Sequence, residues 1–364
     1  MTRSRDGRRR PPPDRLRRAR SVLVHWQDDE VVLANYRTRV SVVGRLALAR
    51  VLDLFGSWLR PEEVLASLPE YGARQVLTAV RKLLEATLLV REGSEEARQD
   101  ELLQQIWSSW LPYGAFHFAT KDVKFASPAR LRKLILRRVT DSPQPPLTKS
   151  YARVPRVSLP PPCAADGEFA RVLIARKTHR EFSRRRLGLG ALSSLLHYSF
   201  AVTGYVDTVR FGPLIRKTSP SGGARHPIEA YVVAVRVDGL APGIYHYDTL
   251  RHRLDQLHLG DMRRQAVAYC AGQEHVRGAS ALIVMTAVLP REIWKYRIAR
   301  AYRVVLLDAG HVCQTLCLTA TWLGLGPFTT AALKDSLIER DLCIDGLSEV
   351  ALYVAGVGMP RVGS

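Results

Sequence analysis

The chain has 364 residues, 54 Lys and Arg against 34 Asp and Glu, and a net charge of +20, a size that suits two domains of roughly 150 residues with a sizeable core. The basic balance invites nucleic acid, but the arginines are scattered without interleaved aromatics or zinc-finger spacing; DNA and RNA are not expected as primary ligands, and an acidic peptide is the better-motivated partner. Five cysteines (Cys163, Cys270, Cys313, Cys317 and Cys343) lack paired metal spacing, their odd count argues against a disulfide framework, and no stretch reads as secretory or membrane-spanning, so the cytoplasm is the expected compartment.

Residues 1–20 hold nine arginines, two aspartates and three consecutive prolines, and read as a disordered basic tail. Residues 21–125 read as a small module. A strand is expected at 31–36, an amphipathic helix at 43–54, and a second helix starting at Arg60-Pro61-Glu62-Glu63, with proline and acid in its first turn. Val76, Val80, Leu83 and Leu84 recur at helical steps, and 88–92 suits a short strand. Phe116, His117 and Phe118 follow; a satisfied buried histidine is the commoner outcome for such a residue, and His117 receives no catalytic role. Prolines at 128, 143, 145, 146, 155, 160, 161 and 162 mark 126–165 as a linker.

Residues 166–364 alternate strand and helix signals: strands at 228–237, 281–288 and 349–357, and a hairpin at 243–257. The stretch 301–323 is apolar almost all round, which predicts a helix buried on more than one side, at a domain centre or across a subunit interface. Cys313 and Cys317, one turn apart on it, suit small core residues.

Two motifs carry chemistry. In Arg176-Lys177-Thr178-His179-Arg180-Glu181-Phe182 the alternate residues Arg176, Thr178 and Arg180 share one side of an extended segment, where guanidinium forks and a hydroxyl suit a phosphate; a solvated basic turn would look the same. In Pro220-Ser221-Gly222-Gly223-Ala224-Arg225-His226-Pro227 two glycines remove Cβ atoms that would hold backbone off a flat ring, Ser221 offers a hydroxyl, and the prolines stiffen the loop.

These motifs occur in order with Gly243-Ile244-Tyr245-His246-Tyr247-Asp248, Lys295-Tyr296, Arg300-Ala301-Tyr302-Arg303, Leu306-Leu307-Asp308-Ala309-Gly310-His311-Val312, Gln314 and Leu323-Gly324-Leu325-Gly326. Over roughly residues 170 to 360 the chain resembles the nitroreductase-fold azoline dehydrogenases of the microcin and streptolysin S peptide-modifying systems. The module of 21–125 resembles the winged-helix-like domains that clamp leader peptides in ribosomal peptide maturation. A DNA-binding winged helix or a dimerisation domain has the same pattern, because fold does not fix function.

The resemblance implies an α+β fold, nitroreductase-like with an antiparallel or mixed sheet and surrounding helices, behind a winged-helix-like domain. It implies FMN, a homodimer paired through the long helix, a precursor peptide or its leader as partner, and a cyclodehydratase complex. Arg176, Thr178 and Arg180 would hold phosphate; Pro220, Ser221, Gly222, Gly223 and His226 would border the ring; Gln314, Gly324 and Gly326 would line the pocket. Turning an azoline into an azole removes a proton and a hydride, and Lys295 and Tyr296 match the family's catalytic pair. Tyr296 is favoured as base or relay with Lys295 tuning it, although neighbours on a strand would point apart. Thr178 stands where serine is common in that family, and Arg225 places a bulky cation at the loop. Two other readings fit the residues: a flavin reductase acting on a small nitro, quinone or dehydroamino-acid substrate with a nicotinamide donor, and a flavin-free peptide-binding scaffold.

Overall fold

The computed structural model describes residues 15–124, 127, 129, 130, 132, 133, 137, 167–207 and 213–361. The proline-rich 126–165 segment and Cys163 lie almost wholly outside the described residues, as do residues 1–14.

The tail is shorter than its arginine content suggests. Strand β1 (Leu16–Arg18) pairs antiparallel with β5 (Leu89–Arg91), so residues 16–18 belong to the fold. Leu16 is buried, and Arg17 is neutralised by an ion pair to buried Asp100 at 2.9 Å, which is how a run of arginines enters a core.

The module's sheet is a three-stranded meander, β2 (Val22–Gln27), β3 (Glu30–Asn35) and β4 (Val40–Gly44), with β3 central. Only the middle strand was legible. Leu23, Val24 and Trp26 of β2 are exposed, so burial does not stamp an alternating pattern on that segment. Val43, expected to open a helix, lies in β4 instead, and α1 runs Leu46–Leu54. Helices α2 (Pro61–Ala66) and α3 (Ala73–Glu85) follow, packing Phe55, Leu68, Leu83 and Leu88 against Leu33.

The expected boundary at 125 is corrected. Helices α4 (Glu95–Trp107) and α5 (Leu111–Thr120) pack into the larger body: Leu103, Trp107, Trp110 and Phe118 join its core. The Trp107 indole donates to the Leu347 carbonyl at 3.1 Å, and that of Trp110 to the Tyr296 carbonyl at 3.2 Å. Buried indoles need such acceptors, and these two tie the strap to the segment carrying Tyr296.

The body is built on a six-stranded sheet with spatial order Arg253–Leu259, Gly243–Asp248, Ile228–Ala234, Ala281–Val288, Glu349–Gly358, Gly326–Thr330, every pair antiparallel. Ile228–Ala234 and Ala281–Val288 lie inside it, and their near-continuous apolar runs reflect burial on both faces. One face is covered by the helix Ala301–Trp322, hereafter the central helix, which packs on the helix Leu189–Phe200. Its length and composition would also let it cross a bilayer, but Val305, Ala309, Val312, Leu316 and Ala320 are buried in the sheet's core. Opposite that buried side Leu306, Leu307 and Trp322 are exposed, beside exposed Phe169, Leu173 and Ile174 of the helix Glu168–Ala175.

Candidate functional site

The 220–223 loop lies on the central helix. The Ser221 hydroxyl donates to Asp308 Oδ2 at 2.5 Å, the Gly222 amide donates to Asp308 Oδ1 at 3.3 Å, and the His226 amide donates to Ser221 Oγ at 2.8 Å. Two turns along, the hydroxyls of Ser219 and Thr315 meet at 2.7 Å. Asp308 is thus the anchor of the loop, and burial raises its carboxyl while the two donated bonds limit the rise. His226 is buried with Nε2 at 3.1 Å from the Ile215 carbonyl; burial, then the Lys217 charge, lowers it to about 4, so it braces the loop as a neutral ring. Pro220 is exposed at the loop's start.

Both glycines are required by the protein atoms around them. A Cβ on Gly222 would fall inside Val304 Cγ1, and one on Gly223 would lie 2.5 Å from Tyr296 Oη and 2.6 Å from Lys295 Nζ. Gly223 also sits at φ 59°, which L side chains rarely adopt. The absent side chains make room for the two candidate catalytic groups.

Lys295 and Tyr296 are not on a strand. They form the turn after the short helix Leu289–Ile293, with amides donating to the Glu292 carbonyl at 3.2 and 2.9 Å, so both side chains reach Gly223. Lys295 Nζ lies 3.4 Å from the Gly223 carbonyl and 5.3 Å from the Tyr296 ring centroid. Beside them Arg225 donates to the same carbonyl at 3.2 Å and lies over the Trp294 ring at 5.1 Å. Beneath the loop, fully buried, is the Glu292 carboxyl; neither oxygen has a hydrogen-bond partner among the described residues. Burial, reinforced by the Asp308 charge, raises it to about 7.

A second cluster lies round the central helix. Arg176, Lys177, Thr178, Cys313, Gln314, Cys317, Thr329 and Tyr353 line a cavity of about 150 Å³. The 176–180 segment has no regular secondary structure and is pinned where the His179 amide donates to the Pro327 carbonyl at 2.8 Å. Arg176 and Thr178 line the cavity, and so does Lys177 between them, so the lining does not follow strict alternation. Arg180 does not line it; its charge acts on His275 instead, because the chain turns toward the Phe182 anchor at Pro360. Gly324, at φ 70°, ends the central helix in a left-handed turn closed by Leu325 donating to the Ala320 carbonyl at 2.8 Å. Gly326 gives way to the His179 ring. These two glycines shape the strand that carries Thr329; they do not line the cavity.

The expected residues therefore form two groups. At 100° per residue, Asp308, His311 and Thr315 lie on one side of the helix, and Gly310, Cys313, Gln314 and Cys317 roughly 140° away. The cavity at Arg176 has the donors a phosphate needs, and at about 150 Å³ it is smaller than the roughly 300 Å³ at which ligand sites usually begin. Within one protomer the two groups therefore lie apart. Glu292 and Asp308 were not singled out; the signal for Asp308 is a lone carboxylate within an apolar helical run, and nothing in the sequence marks Glu292.

Comparison with known proteins follows these features. Trifolitoxin-processing protein TfxB of Rhizobium leguminosarum bv. trifolii is 26% identical over 322 residues, covering 82% of this chain and 85% of its own. The nitroreductase-type protein MJ1384 of Methanocaldococcus jannaschii is 33% identical over 187 residues, 51% of this chain and 88% of its own. Microcin B17-processing protein McbC of Escherichia coli is 26% identical over 149 residues, 40% of this chain and 54% of its own. The family model described as the nitroreductase family matches residues 173–359, just over half of the sequence, and the chain belongs to the nitroreductase family.

Proposed function

We propose that this protein is an FMN-dependent dehydrogenase that oxidises azoline rings of a ribosomally made peptide to azoles, working as a homodimer. The observation that carries the reading is the Lys295–Tyr296 pair held against the Gly223 backbone, where only glycine fits. The relatives named for processing trifolitoxin and microcin support a peptide substrate. The TfxB match extends over 322 residues, well beyond the 173–359 region, so it takes in the segment before the nitroreductase domain as well.

Bound FMN supplies the hydride acceptor. Arg176, with Thr178 and Gln314 beside it, would hold the phosphate end. A second copy docked on the exposed stripe of Leu306, Leu307 and Trp322 would bring its own 220–223 loop and its Lys295–Tyr296 pair over the uncovered remainder, which explains why the two groups sit on different sides of one helix. Oxidation then needs a base at the ring carbon. The Tyr296 phenolate would take that proton, with the Lys295 ammonium beside its ring.

The amino-terminal module would bring the peptide. Edge strand β4 and helix α3 flank a groove of about 560 Å³ with Val42, Val43, Leu48, Val76 and Ala79 in its wall and Arg45, Arg74 and Lys82 among the lining residues. A strand edge unpaired among the described residues, beside an apolar floor, suits an extended peptide, and the cations suit an acidic one. A cyclodehydratase partner belongs to the same reading.

The test is incubation of the flavin-loaded protein with a heterocyclised peptide, followed by mass spectrometry. The expected result is loss of two hydrogens per ring, abolished by Lys295→Ala or Tyr296→Phe while reduction of a nitroaromatic with added NADPH persists. Nitro reduction without any azoline oxidation would favour the small-molecule reductase, and a colourless protein that takes up no FMN would favour the scaffold.

A further inference from the structure

Beside the catalytic pair lies a cation that the reaction does not use. The turn carrying Lys295 and Tyr296, residues 294–300, leads from the helix Leu289–Ile293 to the central helix and exposes Trp294, Arg297, Ile298 and Arg300. No acidic residue occurs between Glu292 and Asp308. Trp294 is 60% exposed, and the Arg225 guanidinium lies over its ring at 5.1 Å. Tryptophan and arginine are the residues that most often anchor a bound chain, and here they stand together, one residue from Lys295.

The geometry of Arg225 shows what such a chain must carry. Only Nε is engaged, donating to the Gly223 carbonyl at 3.2 Å; the two terminal nitrogens have no acceptor among the described residues. The protein's own acids do not take them. Asp308 is occupied by Ser221 and Gly222, Glu229 by Arg291 and His246, and the buried Glu292 carboxyl feels the Arg225 charge without a hydrogen bond to either oxygen. Held at Nε and by the indole, the planar fork is ordered before anything binds, and its free donors match a carboxylate. Lys295 Nζ lies 3.4 Å from the same Gly223 oxygen, so Nε and Nζ are at most 6.6 Å apart, the sum of the two bonds. Successive Cα atoms are about 3.8 Å apart, so with a ring at the catalytic pair the carboxylate belongs to the adjoining residue or the one beyond it.

We propose that Arg225, backed by Trp294, is a specificity subsite that selects azolines flanked by Asp or Glu, its fork taking the side-chain carboxylate. This rests on the reading of Lys295 and Tyr296 as the groups that act on the ring, and it narrows the substrate class of that site to acidic peptides. The exposed Arg297 and Arg300 extend charge of the same sign along the turn, which draws in an acidic chain and repels a basic one.

The test uses the full-length, FMN-loaded protein and pairs of short peptides that differ only in Asp or Asn beside the ring, amidated at the C-terminus so that the side chain is the sole carboxylate. In one arm the ring is a thiazole, already oxidised, and affinity is read by calorimetry. Wild type should bind the Asp peptide about tenfold more tightly, the low end for a hydrogen bond between charged groups because the guanidinium is half-buried. Arg225→Gln should bring that ratio to about one, and Arg225→Lys, with charge but no fork, should recover only part of it. In the other arm the ring is a thiazoline, and kcat/KM read by mass spectrometry should show the same preference. Each protein is its own control, since a loop disturbed by the substitution lowers both values and leaves their ratio unchanged. Equal affinities in wild type, or a preference that survives Arg225→Gln, overturns the proposal. So does loss of FMN from Arg225→Gln under conditions where wild type retains it, which would assign the guanidinium to the cofactor. An Asp preference in binding by a protein that oxidises no azoline would sink the proposed reaction and leave the subsite standing; azoline oxidation without the preference would do the reverse.

Discussion

Gly223→Ala separates the two jobs of the loop glycine. At φ 59° an alanine is strained by about 1–2 kcal/mol, and the stiffer unfolded chain returns about 0.4–1 kcal/mol, so the net loss of stability is about 1 kcal/mol. In a domain of this size that lowers Tm by roughly 2–4 °C. The new methyl meets the far ends of Lys295 and Tyr296, at 2.6 and 2.5 Å, and both can swing away without disturbing the core. Their displacement by about an ångström costs on the order of 100-fold in turnover. The expected outcome is a protein that melts almost as wild type does, binds FMN and reduces nitroaromatics, but oxidises azolines about 100-fold more slowly through kcat. Differential scanning fluorimetry with mass-spectrometric rate measurements checks this. Full azoline activity in a folded Gly223→Ala protein would show that the pair does not act from the position found here. Gly222→Ala is the control: its methyl would enter Val304, so it should cost stability, about 1–3 kcal/mol.

Three further expectations follow from the same geometry. The Glu292 carboxyl is raised from 4.5 to about 7, so the folded state favours its protonated form: that contribution is full below pH 4.5 and lost as pH rises through about 7, up to about 3 kcal/mol on the integrated shift. Urea unfolding at about pH 5 and 8 should show Glu292→Gln gaining stability over wild type only at the higher pH. Arg176→Ala should weaken FMN binding by roughly 10- to 100-fold, as expected for a charged hydrogen bond, whereas Arg180→Ala, outside the cavity, should change it little; flavin fluorescence titration distinguishes them. Leu307→Asp, on the exposed stripe, should give a monomer by sedimentation that no longer retains FMN.

Residue order and type were enough to identify the nitroreductase domain, because the Arg-x-Thr motif, the Ser-Gly-Gly loop, the Lys-Tyr pair and the apolar helix each carry local chemistry and recur in a definite order. Helical steps at Val76, Val80 and Leu83, and the unbroken apolar runs of the central strands, were equally legible, since burial writes a period into the sequence. Strand β2 was not, because exposed Leu23, Val24 and Trp26 feel no such constraint. Local order also could not say which side of the central helix each motif would meet. That depended on the Ser221–Asp308 and His179–Pro327 bonds, formed between residues 87 and 148 positions apart. The same is true of Glu292: burial, with no donor to it among the described residues, raises its carboxyl, a property of three-dimensional packing that no stretch of neighbouring residues records.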